Sequence, residues 1–453
     1  MNYTKMYEAI RGILTKDEQI DFVMTNRTAR MIEVWGNVYV GRSPWLSETV
    51  QSAGIAAAVC GEHARLIMLE AQAAADGSAR AEYVNGILQK VITQLQIQQA
   101  ELGLAKGGLI IKPYISGGKI AVQYLQADMF FPIEYDTDKI IRCAFLDQYR
   151  NGDTIYSRVE LHSLKGSTLE IKNRAFMSRN DESLGSEVSL QEVSRWADMA
   201  ETTTFQNVES LPFGYFVVPL ANNIEPESKM GISAFSRAMG QIAEADKRYS
   251  QINWEYESKE TAIHVAQSLL HRTESGNFEY PAGKDRLYRE LDYNMGPNDK
   301  TLLEDFSPAI RDQSYLNGWN ELMRMIEFRC YLAYGTLSNP NQVEKTAEEI
   351  RASKQRSYSF VKHCQSAIQT ALEDFVKAVL FWCDVYSLEP AGDVELAFRW
   401  DDSIVVDTES ERKTDRADVA MGAMQLWEYR MKWYGEDEQT AKAAIVMEPN
   451  VIE

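Results

Sequence analysis

Positive charge is what this sequence has little of. Its 453 residues carry 47 lysines and arginines against 66 aspartates and glutamates, a formal charge of −19. A surface that grips phosphates nonspecifically needs clustered cations, so this balance argues against a tight, nonspecific nucleic-acid binder. A local basic patch, or a duct through which DNA slides without sticking, stays open. Cysteine is scarce as well. Cys60, Cys143, Cys330, Cys364 and Cys383 are scattered, with no Cys-x-x-Cys, which argues against a zinc ribbon, a redox pair or a disulfide framework. Long apolar runs are missing: 53–60 and 375–383 fall far short of the ~20 residues that span a bilayer. The charged stretch 1–23 has no apolar core of a secretion signal. The sequence thus reads as cytosolic, reduced and soluble, without a membrane partner. Chemical motifs are missing too. The Gly-Lys pairs 118–119 and 283–284 are followed by Ile120 and Asp285, not by a P-loop Ser or Thr. There is no His-Glu-x-x-His, no Gly-x-Ser-x-Gly and no EF-hand loop, so no cofactor, no metal and no catalytic residue is expected.

What is present is an ordinary folded composition, 45% hydrophobic and 25% charged, in a chain long enough for several packing units. Three blocks follow one another. In the first, Ser43-Pro44 opens a helix carrying Val50, Ile55, Val59, Leu66 and Leu69, and a second helix runs from about 79 to 105. At Gly107-Gly108 the period changes to two. The runs 109–116, 119–126, 129–136, 140–149, 154–164 and 168–177 are divided by Gly117-Gly118, Asp136, Asn151-Gly152-Asp153 and Lys165-Gly166. That is an antiparallel meander with no helices between strands, followed by a polar stretch, 179–210.

The third block is helical. From Ser233, apolar residues step by three and four through Tyr256; a segment broken by glycine and proline, 266–312, follows. Tyr315 to Cys330 mark another helix that Asn339-Pro340-Asn341 stops, and Val361 to Val379 mark a long amphipathic one. The tail holds a strand, 394–400, and a charged helix with a possible capping box at Thr408 and Glu411. The class is α+β. No fixed-period repeat is visible.

The five histidines, His63, His162, His264, His271 and His363, lack metal-binding spacing and are expected to be structural or solvated. Asp401-Asp402 is the most suggestive carboxylate pair. Neighbours in an extended chain point to opposite faces, so turn residues are the favoured reading over ligands of one ion. Glu436-Asp437-Glu438 suits the first turn of a helix. Aromatic stripes (Tyr249, Trp254, Tyr256; Trp319, Phe328; Phe360, Phe375, Trp382) keep core spacing and point to helix packing or subunit contact rather than base stacking.

Certain segments are familiar. Met230-Gly231-Ile232-Ser233 with Asp246, Tyr249-Ser250 and Glu255 resembles the helix start before the clip in portal proteins of long-tailed phages infecting Gram-positive bacteria. Lys345-Thr346-Ala347 with Glu349-Ile350 and Ser353 resembles the segment that joins their tunnel loop to the next long helix. Trp400 to Ile404, Asp407, Gly422, Glu428-Tyr429-Arg430 and Tyr434-Gly435 are similar to their C-terminal stretch. The match covers roughly 215–440, and the short end departs from a large helical crown.

The resemblance implies an N-terminal arm, 1–44, a helical and antiparallel-β wing, 45–232, and a stem helix, 233–265. A small α/β clip, 266–312, a second stem helix, 313–336, and a tunnel loop, 337–350, would follow. The spine helix would be 351–386 and a short acidic crown region 387–453. It implies a ring of about twelve subunits at one capsid vertex of the virion, assembled in the host cytoplasm. The partners implied are other copies of the chain, the terminase large subunit, a head-completion adaptor, major capsid and scaffolding proteins, and double-stranded DNA passing through. Lys345, with Asn339, Asn341 and Gln342, would line the constriction; alternatively Lys345 pairs near Glu348. Two other readings stand beside this one: a metal-dependent nuclease or head-processing enzyme centred on Asp401-Asp402, and a portal-like assembly protein of a phage-derived particle.

Overall fold

The computed structural model describes residues 3–18, 24–137, 139–180, 182–259, 309–339, 347–400 and 408–446, and the backbone of five short strands between 262 and 306. The fold is α+β. It begins with two helices, α1 (Tyr3–Glu18) and α2 (Asn26–Tyr39), in the segment read as an arm. Tyr3, Met6, Tyr7, Ile10 and Leu14 recur at three- and four-residue spacing and are all buried, with Tyr3 and Tyr7 stacked on Phe131.

Ser43-Pro44 does not open the next helix. Residues 40–54 run as turns, and α3 (Ile55–Met68) starts after Gly54, whose φ is 71°. The donors that a helical first turn would use go elsewhere. Asp246 accepts the Trp45 indole N–H and the Ala53 amide, each at 2.8 Å, and Ser250 Oγ accepts the Gln51 amide at 2.8 Å.

A strand, β1 (Gln72–Asp76), leads into α4 (Ala79–Gln94), which Ser78 caps. One π-turn at 95–99 carries it into α5 (Ala100–Lys106), so the expected helix over 79–105 is present with a bulge. Then come β2 (Gly108–Ser116), β3 (Lys119–Gln126), β4 (Phe130–Asp136), β5 (Lys139–Asn151), β6 (Thr154–Lys165) and β7 (Thr168–Ser178). Short β8 (Ser186–Val188), β9 (Thr202–Phe205) and β10 (Gly214–Val217) follow.

The meander is two sheets rather than one. A 3-10 turn at Ala127–Met129 diverts the chain, so β3 and β4 do not pair. One sheet has the order β10-β2-β3; the other runs β4-β5-β6-β7-β8, with β9 also on β7. A buried ion cluster joins them. Glu160 of β6 takes Lys112 Nζ of β2 at 2.6 Å, Arg158 Nη1 at 2.8 Å and His162 Nε2 at 2.6 Å. Burial alone would raise the Glu160 carboxyl, but Lys112 and Arg158 hold it well below the usual range.

After one 3-10 turn, α6 (Met239–Ser258) takes up the helix expected from Ser233. The broken insert holds β11 (Ala262–Ala266), β12 (His271–Arg272), β13 (Phe278–Glu279), β14 (Tyr288–Leu291) and β15 (Leu303–Phe306). β11 lies between β14, its parallel neighbour, and antiparallel β15, while β12 pairs with β13. α7 (Asp312–Arg329) returns beside α6, and α8 (Ala347–Tyr386) runs for 40 residues. Beyond it β16 (Glu395–Arg399) pairs antiparallel with β1, ahead of α9 (Thr408–Met421), α10 (Leu426–Tyr434) and α11 (Glu438–Val446). Asp437 accepts the amides of Gln439 and Thr440 at 3.0 and 2.9 Å, capping α11 where an acidic first turn was expected. The side chains of Thr408 and Glu411 lie outside the described residues; the capping box that is described sits at Gln425 and Glu428.

The axis of the core is α8. Phe360, Val361, Cys364, Ile368, Leu372, Phe375, Val379 and Cys383 are buried on its inner side, against α3, β2 and β10. At its end Arg80 secures the chain reversal, donating to the carbonyls of Glu389 and Pro390 at 2.6 and 2.8 Å. No described helix is long and apolar enough to cross a membrane. Close approach requires glycine at position 214 of β10, where a Cβ would lie 2.0 Å from the Ala371 carbonyl oxygen of α8. Gly214→Ala is expected to lower stability by about 1–3 kcal/mol, read as a lower denaturant midpoint, with the secondary structure retained.

Candidate functional site

The sequence points to the loop between α7 and α8. Of its residues, Asn339 is exposed and its amide donates to Asn320 Oδ1 at 2.6 Å. Asn341, Gln342 and Lys345, with the side chains of the first residues of the long helix, lie outside the described residues, as do Asp401 and Asp402. What is visible is the foot of the loop.

α7 stops at Arg329, ten residues before the expected Asn339-Pro340-Asn341. The cause is Glu327, fully buried on the apolar side that also carries Met323, Ile326 and Cys330. Its Oε1 accepts the amides of Gly335, Leu337 and Ser338 at 3.1, 2.6 and 2.8 Å, and its Oε2 accepts the Ser338 hydroxyl at 2.9 Å. The 330–338 turn is thereby folded back over the end of its own helix. Tyr331 (φ 62°) and Gly335 (φ 88°) supply the left-handed backbone that the reversal needs. A carboxylate that receives three amides and a hydroxyl is compensated for burial by charge-assisted hydrogen bonds.

Two neighbouring elements fasten the other side of the turn. On α8, Ser353 Oγ accepts the Tyr334 amide at 2.7 Å, and Arg356 donates to the Leu332 carbonyl at 3.3 Å. On α3, His63 Nε2 donates to the Cys330 carbonyl at 2.7 Å, and its ring meets Phe360 edge-on. Since a carbonyl only accepts, Nε2 carries the proton. Burial pushes the pKa of His63 down to about 4 from an ordinary 6.5, so near neutral pH the ring is uncharged. It is a structural histidine, as is buried His162; His363 is exposed on α8.

At the opposite end of the helix pair, Glu255 of α6 receives the Arg311 amide at 3.3 Å and its guanidinium at 3.2 and 2.9 Å, fixing where α7 starts. α6 and α7 thus lie antiparallel, bonded at one end, with Tyr249 against Trp319 between them. Their outer faces carry large apolar groups: Trp254 is 66% exposed, Tyr256 46%, Met325 48% and Phe328 55%. The aromatic stripes therefore divide. Phe360 and Phe375 are core, Tyr249 and Trp319 meet between α6 and α7, and Trp254, Tyr256 and Phe328 face outward.

A family model described as phage portal protein, SPP1 Gp6-like, matches residues 82–426. The chain belongs to that phage portal family. No curated protein matches the sequence. Among solved structures, a chain of the virion of a native gene transfer agent particle is similar at TM-score 0.45 and 10% identity, over 93% of this chain and 98% of that one. Portal proteins are structural components of the phage capsid, and among the described residues of this portal chain no His, Cys, Asp and Glu group could hold a metal.

Sequence reasoning missed Glu327. Its signal was there: an acid sharing the apolar spacing of Met323, Ile326 and Cys330, followed by a Gly-Thr-Leu-Ser turn with donors to satisfy. Replacing it, Glu327→Gln, should destabilise the foot by about 1.5–3 kcal/mol and raise hydrogen exchange at the 335, 337 and 338 amides above that elsewhere in α7. His63 gives a second expectation. Because its folded value, about 4, lies below the ordinary 6.5, the unfolded chain takes up the proton first. Stability is full above that ordinary value and falls by up to about 3 kcal/mol as pH drops toward the folded one. His63→Gln should flatten that part of the pH profile of the urea midpoint.

Proposed function

We propose that this portal chain closes into a ring of about twelve copies at one capsid vertex, with a central channel for packaging and ejecting double-stranded DNA. The observation that carries this reading is the continuity of the antiparallel pair α6–α7 with α8 through the turn folded on Glu327. Two braced helices leave a strand module at one end. At the other, the turn on Glu327 forms a fixed base, and the long buried helix begins at Ala347, after the seven residues that follow Asn339 in the sequence. In a ring, that places one loop per subunit at the same height.

The parts then take their names. Residues 1–44 are an N-terminal arm, 45–232 the wing, 233–265 and 313–336 the stem helices and 266–312 the clip. The tunnel loop is 337–350, the spine helix 351–386 and the short crown region 387–453. The clip end is the platform for the terminase large subunit and later for the head-completion adaptor. The wing faces capsid and scaffolding proteins during assembly in the host cytoplasm. Net negative charge suits a channel through which DNA must move, since firm phosphate binding would act as a brake. Asn339, Asn341, Gln342 and Lys345 line the constriction, with Lys345 tracking passing phosphates.

Heads assembled with Lys345→Glu should package less full-length DNA while ring formation is unchanged. Normal packaging would remove Lys345 from the mechanism. Heads assembled without the chain that still package DNA would contradict the conduit itself.

A further inference from the structure

Four arginines gather in one recess of this acidic chain. Beside the foot of the loop, α7, α8 and the turn that precedes α6 enclose an open recess of about 540 Å³. Arg237, Arg324, Arg329 and Arg356 line it against one carboxylate, Glu321. Each of three guanidiniums is held by an aromatic ring: Arg356 lies 4.6 Å from the Phe328 ring centre, Arg324 5.5 Å from Tyr334 and Arg237 5.8 Å from Tyr331. Backbone carbonyls also hold the fourth, Arg329, whose Nη1 donates to the Arg237 carbonyl at 3.2 Å, and Arg237 itself, whose Nη2 donates to the Ala221 carbonyl at 3.1 Å. The Nε donors of Arg324 and Arg356 are buried and find no hydrogen-bond acceptor among the described residues. Met325 and Phe328, 48% and 55% exposed, form an apolar rim.

Resting on the ring reading, we propose that this recess is a subunit contact: it receives carboxylates of the next copy of the chain. Charge decides the occupant. With 66 acidic against 47 basic side chains, another copy carries an excess of carboxylates, and four arginines beside one acid, Glu321, which pairs with Arg324 at 3.0 Å, leave donors for them. The rim is of the kind that an interface covers. Passing DNA fits less well. Guanidiniums fixed on aromatic rings within a recess cannot follow a moving backbone, and a duplex would leave Met325 and Phe328 in water. The contact is heterologous, arginine recess on one copy and acidic patch on the next, which is the kind that closes rings.

The test uses the full chain. Light and 15N-labelled Arg324→Lys/Arg329→Lys protein are mixed before assembly and treated with a zero-length carbodiimide, which couples lysine to a touching carboxylate. Mixed light–heavy cross-linked peptides from Lys at 324 or 329 are expected, and they identify the acidic patch. In parallel, Arg324→Gln/Arg329→Gln should lower the ring fraction by about tenfold at matched concentration, with circular dichroism unchanged. Cross-links only within one label would place the carboxylate in the same chain and overturn the proposal. So would wild-type-like rings from the glutamine variant, or loss of duplex DNA binding with rings intact. A wild-type chain that never assembles would overturn the ring reading itself, a separate and recognisable failure.

Discussion

The carboxylate of Glu327 is the point from which the rest of the helical part can be understood. A helix end leaves backbone groups without partners, and the chain after it must reverse within a few residues. One buried acid receives three amides and a hydroxyl from the reversing segment, so the turn is determined by the helix it leaves. Ser353 of α8 and His63 of α3 hold the same turn from outside. Three elements distant in sequence therefore agree on where the connection between α7 and α8 begins.

The same economy recurs elsewhere in the molecule. Asp246 and Ser250 draw residues 45–53 onto α6, Glu255 sets the start of α7 through Arg311, and Glu160 joins two sheets through Lys112. In each case a carboxylate or hydroxyl collects donors from a separate segment. The apolar core along α8 supplies the bulk of the driving force, whereas these polar ties choose which segments meet. Exposed aromatics remain on the outer faces of α6 and α7.

The alternating pattern of β2 to β7 and the helical spacing of α4–α5, α6 and α7 were legible in the sequence, because period and glycine punctuation report local structure directly. The two helices before residue 40 hide their signal, because charged residues interrupt the buried spacing of Tyr3, Tyr7, Ile10 and Leu14. Ser43-Pro44 carried a valid helix-start signal that lost to tertiary bonds from Asp246, and the early end of α7 was hidden because Glu327 acts on residues eight to eleven positions away. The residues that carry the family resemblance have a structural reason. Asp246, Ser250, Glu255 and Ser353 turn out to be the very groups that accept donors from other segments. The loop residues Asn341, Gln342 and Lys345 lie outside the described residues, and of the loop only Asn339 can be placed.

The central claim is that this portal chain builds a ring around a channel. Native mass spectrometry of the purified full chain, with negative-stain imaging of the same sample, tests it most directly. The account predicts a closed assembly many times the 51.5 kDa of one chain, of about twelve copies with a central hole. A chain that stays monomeric or dimeric at every concentration, even with capsid and scaffolding proteins present, would contradict it.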